Sequence, residues 1–124
     1  MPKVLVVDDN RPSRELILDI LRPLAIEVAE APDGTTALAA ARALHPSLVI
    51  LDISLPDIDG FAVLRELRRH PESARTPVLA LTANVMAGEP ERALAAGFTD
   101  FLAKPVRSAE LRRLVETLLN EPYA

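Results

Sequence analysis

Cysteine is absent from the 124-residue chain, which excludes a disulfide framework, a thiolate zinc site and a cysteine nucleophile. Aromatic residues are scarce, at 3%, leaving little surface on which a flat cofactor ring could stack. Lysine is nearly absent too: the positive charge comes from 12 Arg and only 2 Lys, Lys3 and Lys104. There is no G-x-G-x-x-G run and no Walker A lysine, so nucleotide binding has no support. No apolar run approaches the roughly 20 residues of a spanning helix. The start, Met1-Pro2-Lys3-Val4, lacks the basic region, long apolar stretch and small-residue cleavage site of a secretory leader. A cytoplasmic location with no membrane contact is expected. The net charge of -4 disfavours nucleic acid as a partner, because phosphate neutralisation needs clustered Lys and Arg.

What is present fits one ordinary globular unit. The chain is 49% hydrophobic and 26% charged, and its length suits a single domain over residues 1–124, with a core of about 3–119. Lys3 to Val7 is a continuous apolar, β-branched run, and similar runs recur at Ser47 to Leu51 and Pro77 to Leu81. Such runs predict strands buried on both faces, hence parallel. Between them, apolar residues fall at helical spacing: Leu16, Ile17, Ile20, Leu21 and Leu24; Leu38, Ala41 and Leu44; Phe61, Leu64 and Leu67. Weaker segments keep the same beat, with strands near Glu27 to Glu30 and Thr99 to Leu102, a short helix ending at Gly97, and a last helix from about Ser108 to Asn120, whose Leu111, Leu114, Val115 and Leu118 form a core stripe. Five βα units predict an α/β fold with a parallel sheet. Pro12 suits a first helical turn, Asp33 and Ser108 suit N-caps, and Gly97 suits a helix end. Pro90 either sits in the first turn of the fourth helix or delays its start.

In an open parallel sheet, ligands bind beyond the carboxyl ends of the strands. After the first apolar run come Asp8 and Asp9, after the third Asp52, after the fourth Thr82, and one residue beyond the fifth Lys104. An Asp at a strand end is commonly just a turn former or cap. Three carboxylates crowded together, however, repel one another unless a cation sits among them. A hard divalent ion such as Mg²⁺ suits an all-oxygen set and keeps positions open for water and phosphate. Lys104 beside it would serve as a point charge for a phosphoryl oxygen.

From Lys3 to Leu119 the chain resembles the receiver domains of response regulators. The resemblance rests on Val-Val-Asp8-Asp9-Asn10, on Leu51-Asp52-Ile53-Ser54-Leu55-Pro56-Asp57-Ile58-Asp59-Gly60, on Leu81-Thr82-Ala83 and on Lys104-Pro105. It implies a doubly wound five-stranded parallel sheet, a flavodoxin-like (βα)5 fold with strand order 2-1-3-4-5. It further implies that Asp52 accepts a phosphoryl group from a sensor histidine kinase or a histidine phosphotransfer protein. Asp9 and Asp52, with Asp8 and the backbone carbonyl of Ser54, would hold Mg²⁺, with Mn²⁺ as a substitute. Lys104 would pair with a phosphoryl oxygen, Thr82 would hydrogen-bond the phosphoryl group, and Phe101 would repack as a switch. The fourth and fifth helices and the strand between them would then present a changed surface to a downstream protein, the chain being a monomer or weak dimer without substrate turnover. Ser54 and Asn84 occupy the positions that tune the chemistry in this family.

Three other functions share these residues or this fold. A Mg²⁺-dependent phosphatase of haloacid-dehalogenase type also has an Asp nucleophile at a strand end, but needs a second Asp two residues on, where this chain has Ser54. A scaffold that is never phosphorylated, or a flavin-binding relative, would not require the full residue set. Phe101 also reads as a plain core aromatic, His45 and His70 as structural residues at helix ends, and Gly34 and Gly60 as turn or helix-start residues. Arg65, Arg68 and Arg69 read as a solvated face, or else a docking patch for an acidic partner. Met1 and the short tail, Glu121 to Ala124, favour a free-standing shuttle or regulator over a receiver cut from a larger protein.

Overall fold

A computed structural model describes residues 1–83 and 88–120. Asn84, one of the two tuning positions, and the tail residues Glu121 to Ala124 lie outside them. The strands are β1 (Lys3–Val7), β2 (Glu27–Ala31), β3 (Leu48–Asp52), β4 (Val78–Thr82) and β5 (Asp100–Ala103). They alternate with helices α1 (Arg11–Leu21), α2 (Gly34–Leu44), α3 (Gly60–Arg69), α4 (Glu89–Ala96) and α5 (Ser108–Asn120). All strand pairings are parallel and the order is β2-β1-β3-β4-β5, as the resemblance implied.

Alternation along the strands sorts the core into two layers. Val4, Val6, Leu48, Ile50, Leu79 and Leu81 pack with Ile17, Ile20 and Leu21 of α1 and with Leu111, Val115 and Leu118 of α5. Leu5, Val7, Val49, Leu51, Val78 and Ala80 face the other way, toward α2, α3 and α4. Every residue of β3 and β4 is buried, because these central strands have helices on both sides. Leu16, expected in the α1 stripe, is 47% exposed; it lies on the flank of a face that Ile17, Ile20 and Leu21 already fill.

Three strands are shifted by one residue from their sequence reading. Asp52 and Thr82 are the last residues of β3 and β4, not the residues after them, because the ladder runs on: Ile53 N–H donates to Leu81 C=O (3.1 Å) and Lys104 N–H to Thr82 C=O (2.8 Å). Thr99 precedes β5 and satisfies Val78 from both sides, its Oγ1 accepting the Val78 N–H and its own N–H donating to Val78 C=O.

Helix ends follow their side chains. Asn10, Asp33 and Asp59 each accept a backbone N–H three residues on, replacing a partner that the first helical turn lacks. Pro12 and Pro90 lie in the first turns of α1 and α4, where a missing N–H costs no hydrogen bond. Gly97 ends α4 at φ 112°, a conformation that disfavours a side chain. Ser108 is not an N-cap: α5 begins at Ser108, and its first turn closes from Leu111 N–H to Arg107 C=O. His45 and His70 cap the C-terminal ends of α2 and α3. Arg68 departs from the solvated-face reading, since its guanidinium donates to the carbonyls of Ser73, Thr76 and Gly97. It ties the α3–β4 connection to the end of α4, while Arg65 stays exposed.

At the start of α3 a Cβ on Gly60 would lie 2.6 Å from Ile53 Cα and 3.1 Å from the Asp52 carbonyl oxygen, so the loop after β3 can close only over glycine. Gly60→Ala is expected to lower unfolding stability by about 2–3 kcal/mol, the upper range for overpacking against atoms that cannot move aside. Urea unfolding measures this directly; a loss under about 0.5 kcal/mol would show that the loop relaxes freely.

Candidate functional site

The strand order reverses between β1 and β3, and the ends of these neighbouring strands bound the crevice where open α/β sheets bind ligands. Val7 pairs with Leu51, so Asp8 and Asp52, the next residues, emerge side by side. One oxygen from each of Asp8, Asp9 and Asp52 lies within 4.8 Å of the others. Lys104 arrives from the end of β5, its Nζ 2.9 Å from Asp8 Oδ2 and 3.0 Å from Asp52 Oδ2. Its peptide bond to Pro105 is cis. Asp8 is fully buried, Asp52 and Thr82 nearly so, and Asp9 faces solvent.

Each carboxylate has its own set of donors. Asp8 Oδ1 accepts the Asn10 N–H (2.9 Å), and Oδ2 accepts the Ser13 hydroxyl (2.6 Å) as well as Lys104. Asp52 Oδ1 accepts the Ser54 N–H (3.0 Å) and Oδ2 accepts Lys104. Burial pushes both carboxyls up, yet with different results. At Asp8 the hydrogen bonds from Ser13, Lys104 and Asn10 outweigh burial and hold the carboxyl below its ordinary value. At Asp52 burial prevails over Lys104 and the Ser54 amide, with help from the negative charge of Asp8, and the carboxyl is raised. Burial acts to lower the Lys104 ammonium, but its bonds to Asp8 and Asp52 raise it on balance.

Sequence reading did not single out the residues that bond Asp8 from behind or the one that fastens the neighbouring loop to α2. Ser13 comes from α1, and Arg14 donates from Nη1 to the Asp8 carbonyl (2.7 Å) and from Nε to Glu30 of β2 (2.7 Å). Asp57 accepts from the Gly34 N–H, the Thr35 N–H and the Thr35 hydroxyl, which holds its carboxyl far below the usual range. An i to i+5 pair such as Asp8–Ser13 lies within one strand-to-helix turn and was open to inspection; the 22-residue separation of Asp57 and Thr35 left no local signal.

Three carboxylates facing one ammonium leave a negative surplus, and the donor set is all oxygen. Such a set fits a hard divalent cation better than any softer metal. A family model for the response regulator receiver domain matches residues 4–116. The chain belongs to the receiver domain family. Receiver domains act in two-component and phosphorelay signalling and are signalling modules, not enzymes with substrate turnover.

This receiver is similar to part of the signal transduction histidine-protein kinase BarA of Escherichia coli (strain K12), with 36% identity over 112 residues, 90% of this chain but only 12% of BarA. It is 33% identical over 115 residues to the polar-differentiation response regulator DivK of Brucella ovis, covering 93% of this chain and 91% of DivK. Among solved structures, the receiver domain of sensor histidine kinase PA1611 from Pseudomonas aeruginosa PAO1 superimposes with a TM-score of 0.90 at 35% identity, covering 97% of this chain and 98% of that one. That structure has a magnesium ion coordinated in its active site cleft.

The other candidate residues of this receiver divide between the crevice and its edge. Thr82 ends β4 beside Ala103 of β5. Phe101 sits two residues earlier on β5, opposite Ala80, half-buried and packed against the α2–α3–α4 layer. Ser54 is exposed on the loop after β3. Among the described residues no helix is long and apolar enough to cross a membrane.

The opposed shifts of the two carboxyls set the metal-free pH response. Ionised Asp52 disfavours the fold, and this cost is relieved as pH falls through its raised pKa. Asp8 stabilises the fold above its ordinary pKa, and that contribution is lost as pH falls through its lowered one. In EDTA, Asp52→Asn should therefore raise Tm by about 2–5 °C at pH 7, and by less at an acidic pH where Asp52 is protonated. Thermal melts at the two pH values check both; a lower Tm at pH 7 would mean that Lys104 stabilises Asp52 more than burial costs it.

Proposed function

We propose that this chain is a single receiver domain, acting in the cytoplasm, in which Asp52 is the phosphoacceptor for a sensor histidine kinase or histidine phosphotransfer protein. The observation that carries the reading is Lys104 Nζ within 3.0 Å of both Asp8 and Asp52 at the β1–β3 crevice. The magnesium in the PA1611 receiver supports the same ion here, held by Asp8, Asp9, Asp52 and the Ser54 backbone carbonyl. When bound, Mg²⁺ supplies positive charge to the equatorial oxygens of the transferring group.

The residues divide the work by charge. A carboxylate oxygen of Asp52 forms the new O–P bond while the N–P bond of a phosphohistidine breaks. The electron pair of that bond stays on the imidazole, which takes up a proton. Burial holds Asp52 in a site from which bulk water is largely excluded, which suits a carboxylate that must attack phosphorus in line. The Ser54 N–H fixes one Asp52 oxygen, leaving the other, now bound by Lys104, to meet the phosphorus. As the phosphoryl group arrives, the Lys104 ammonium turns from the carboxylates to a phosphoryl oxygen. Thr82 then donates its hydroxyl to another phosphoryl oxygen, and Phe101 repacks behind it. The local charge event becomes a changed α4–β5–α5 surface for a downstream protein.

Acetyl phosphate with Mg²⁺ is expected to add one phosphoryl mass to the wild-type protein and none to Asp52→Asn or to wild type in EDTA. Beryllium fluoride should move the amide signals of Thr82 and Phe101. Lys104→Ala should slow phosphorylation by at least ~100-fold, in line with removing a preorganised charge from a developing anion. Mass gain that persists in Asp52→Asn, or release of phosphate beyond one equivalent from a generic phosphate ester, would overturn the reading.

A further inference from the structure

The loop from Ile53 to Asp59 joins β3 to α3 and carries Ser54. Its two ends meet at one acceptor: Leu55 N–H and Gly60 N–H both donate to the Ile53 carbonyl. Its second half is fastened to a different element. The Asp57 carboxylate takes the Gly34 N–H at 2.9 Å, the Thr35 N–H at 3.0 Å and the Thr35 hydroxyl at 2.7 Å. These two amides belong to the first turn of α2, where the helix supplies no acceptor of its own. The next amide, that of Thr36, goes to Asp33. Asp57 thus completes the cap of α2 from outside, with the positive end of the helix dipole favouring its charge.

Packing confirms that the loop and α2 are in close apposition. A Cβ on Gly34 would lie 3.0 Å from Val63 Cγ2, 3.1 Å from Ile58 Cβ and 3.2 Å from the Ile58 carbonyl oxygen. Asp57 and Ile58 therefore seat the loop on the start of α2, and three residues before Asp57 the Ser54 amide holds Asp52 Oδ1. The carboxylate of Asp57 touches neither the three-carboxylate cluster nor Lys104.

We infer that Asp57 is a positioning residue: by fastening the β3–α3 loop to the N-terminus of α2 it fixes Ser54, and through Ser54 sets the metal affinity of the crevice. The inference rests on the receiver reading, in which the Ser54 carbonyl is a metal ligand. Its consequence is specific. Loosening the loop weakens metal binding, because the ligand must be ordered at the moment of binding, but leaves the chemistry of Asp52 and Lys104 intact once the metal is saturating.

The test compares wild type, Asp57→Ala, Asp57→Asn and Thr35→Val by calorimetric titration with MgCl₂, at a temperature where circular dichroism shows each protein folded. Initial rates of phosphorylation by acetyl phosphate are followed as a function of Mg²⁺. Asp57→Ala is expected to raise the Mg²⁺ Kd by ~10-fold, the lower range for losing a residue that orients a metal ligand. Asp57→Asn, which keeps an acceptor oxygen, and Thr35→Val, which loses only the hydroxyl, should fall between Asp57→Ala and wild type. The saturated rate should stay within about twofold of wild type in all three. Unchanged Kd values in variants of a wild type that binds Mg²⁺ and is phosphorylated would overturn the positioning role alone. So would a saturated rate that falls as far as the affinity does, since that is general damage to the site. Failure of wild type itself to bind Mg²⁺ would overturn the receiver reading and this inference together.

Discussion

A single ammonium between two buried carboxylates sets the terms for the rest of this structure. Asp8 follows β1, Asp52 ends the neighbouring β3, and both lie where water is scarce, so like charges there have little to screen them. Lys104 Nζ reaches both at hydrogen-bond distance, and it does so from β5, at the far side of β4. The bridge therefore requires the sheet to be assembled through β1, β3, β4 and β5 before its charges are matched. The local fields are unequal: Asp8 is held ionised by three donors, while Asp52 keeps a raised carboxyl. Such a difference within one cluster suits a division of labour between a fixed anion and a group that reacts.

The same arrangement explains why the site is built on strand ends and not on loops alone. The β3 and β4 strands are buried over their whole length, so the positions of Asp52 and Thr82 are set by the ladder and by two apolar layers. Helix starts and loops then add what the ladder cannot. Arg14 binds the Asp8 carbonyl and links it to Glu30 on β2. Gly60 permits the closure over Ile53, and Asp57 carries the other half of that loop to α2. The crevice thus takes the placement of Asp52 and Thr82 from the sheet and the placement of its surrounding backbone from helix starts and loops.

Much of this was legible in the residues. Continuous apolar runs marked β1, β3 and β4, since strands covered on both faces need no alternation. Polar residues closing those runs marked the crevice. The limits were local: strand ends moved by one residue at Asp52, Thr82 and Thr99, where hydrogen bonds from a neighbouring strand decide the boundary. Ser108 has the side chain of an N-cap, yet α5 starts on it because the Arg107 carbonyl takes the first helical bond. Arg68 reads as one of three exposed basic residues until the carbonyls of Ser73, Thr76 and Gly97 are brought to it.

By itself, then, the sequence determined the α/β class, the two-sided burial of the central strands, and the residue types at the strand ends, because each follows from periodicity or from chemistry carried on neighbouring positions. Tertiary structure alone decided the partners. Lys104 meets Asp8 across 96 positions and Asp52 across 52, and Asp57 meets Gly34 across 23. No local pattern encodes such pairs, since their closeness depends on strand order and on how tightly one loop can pack on another element. The charge balance of the crevice, and the raised carboxyl of Asp52 with it, exists only once those distant groups have been brought together and dried.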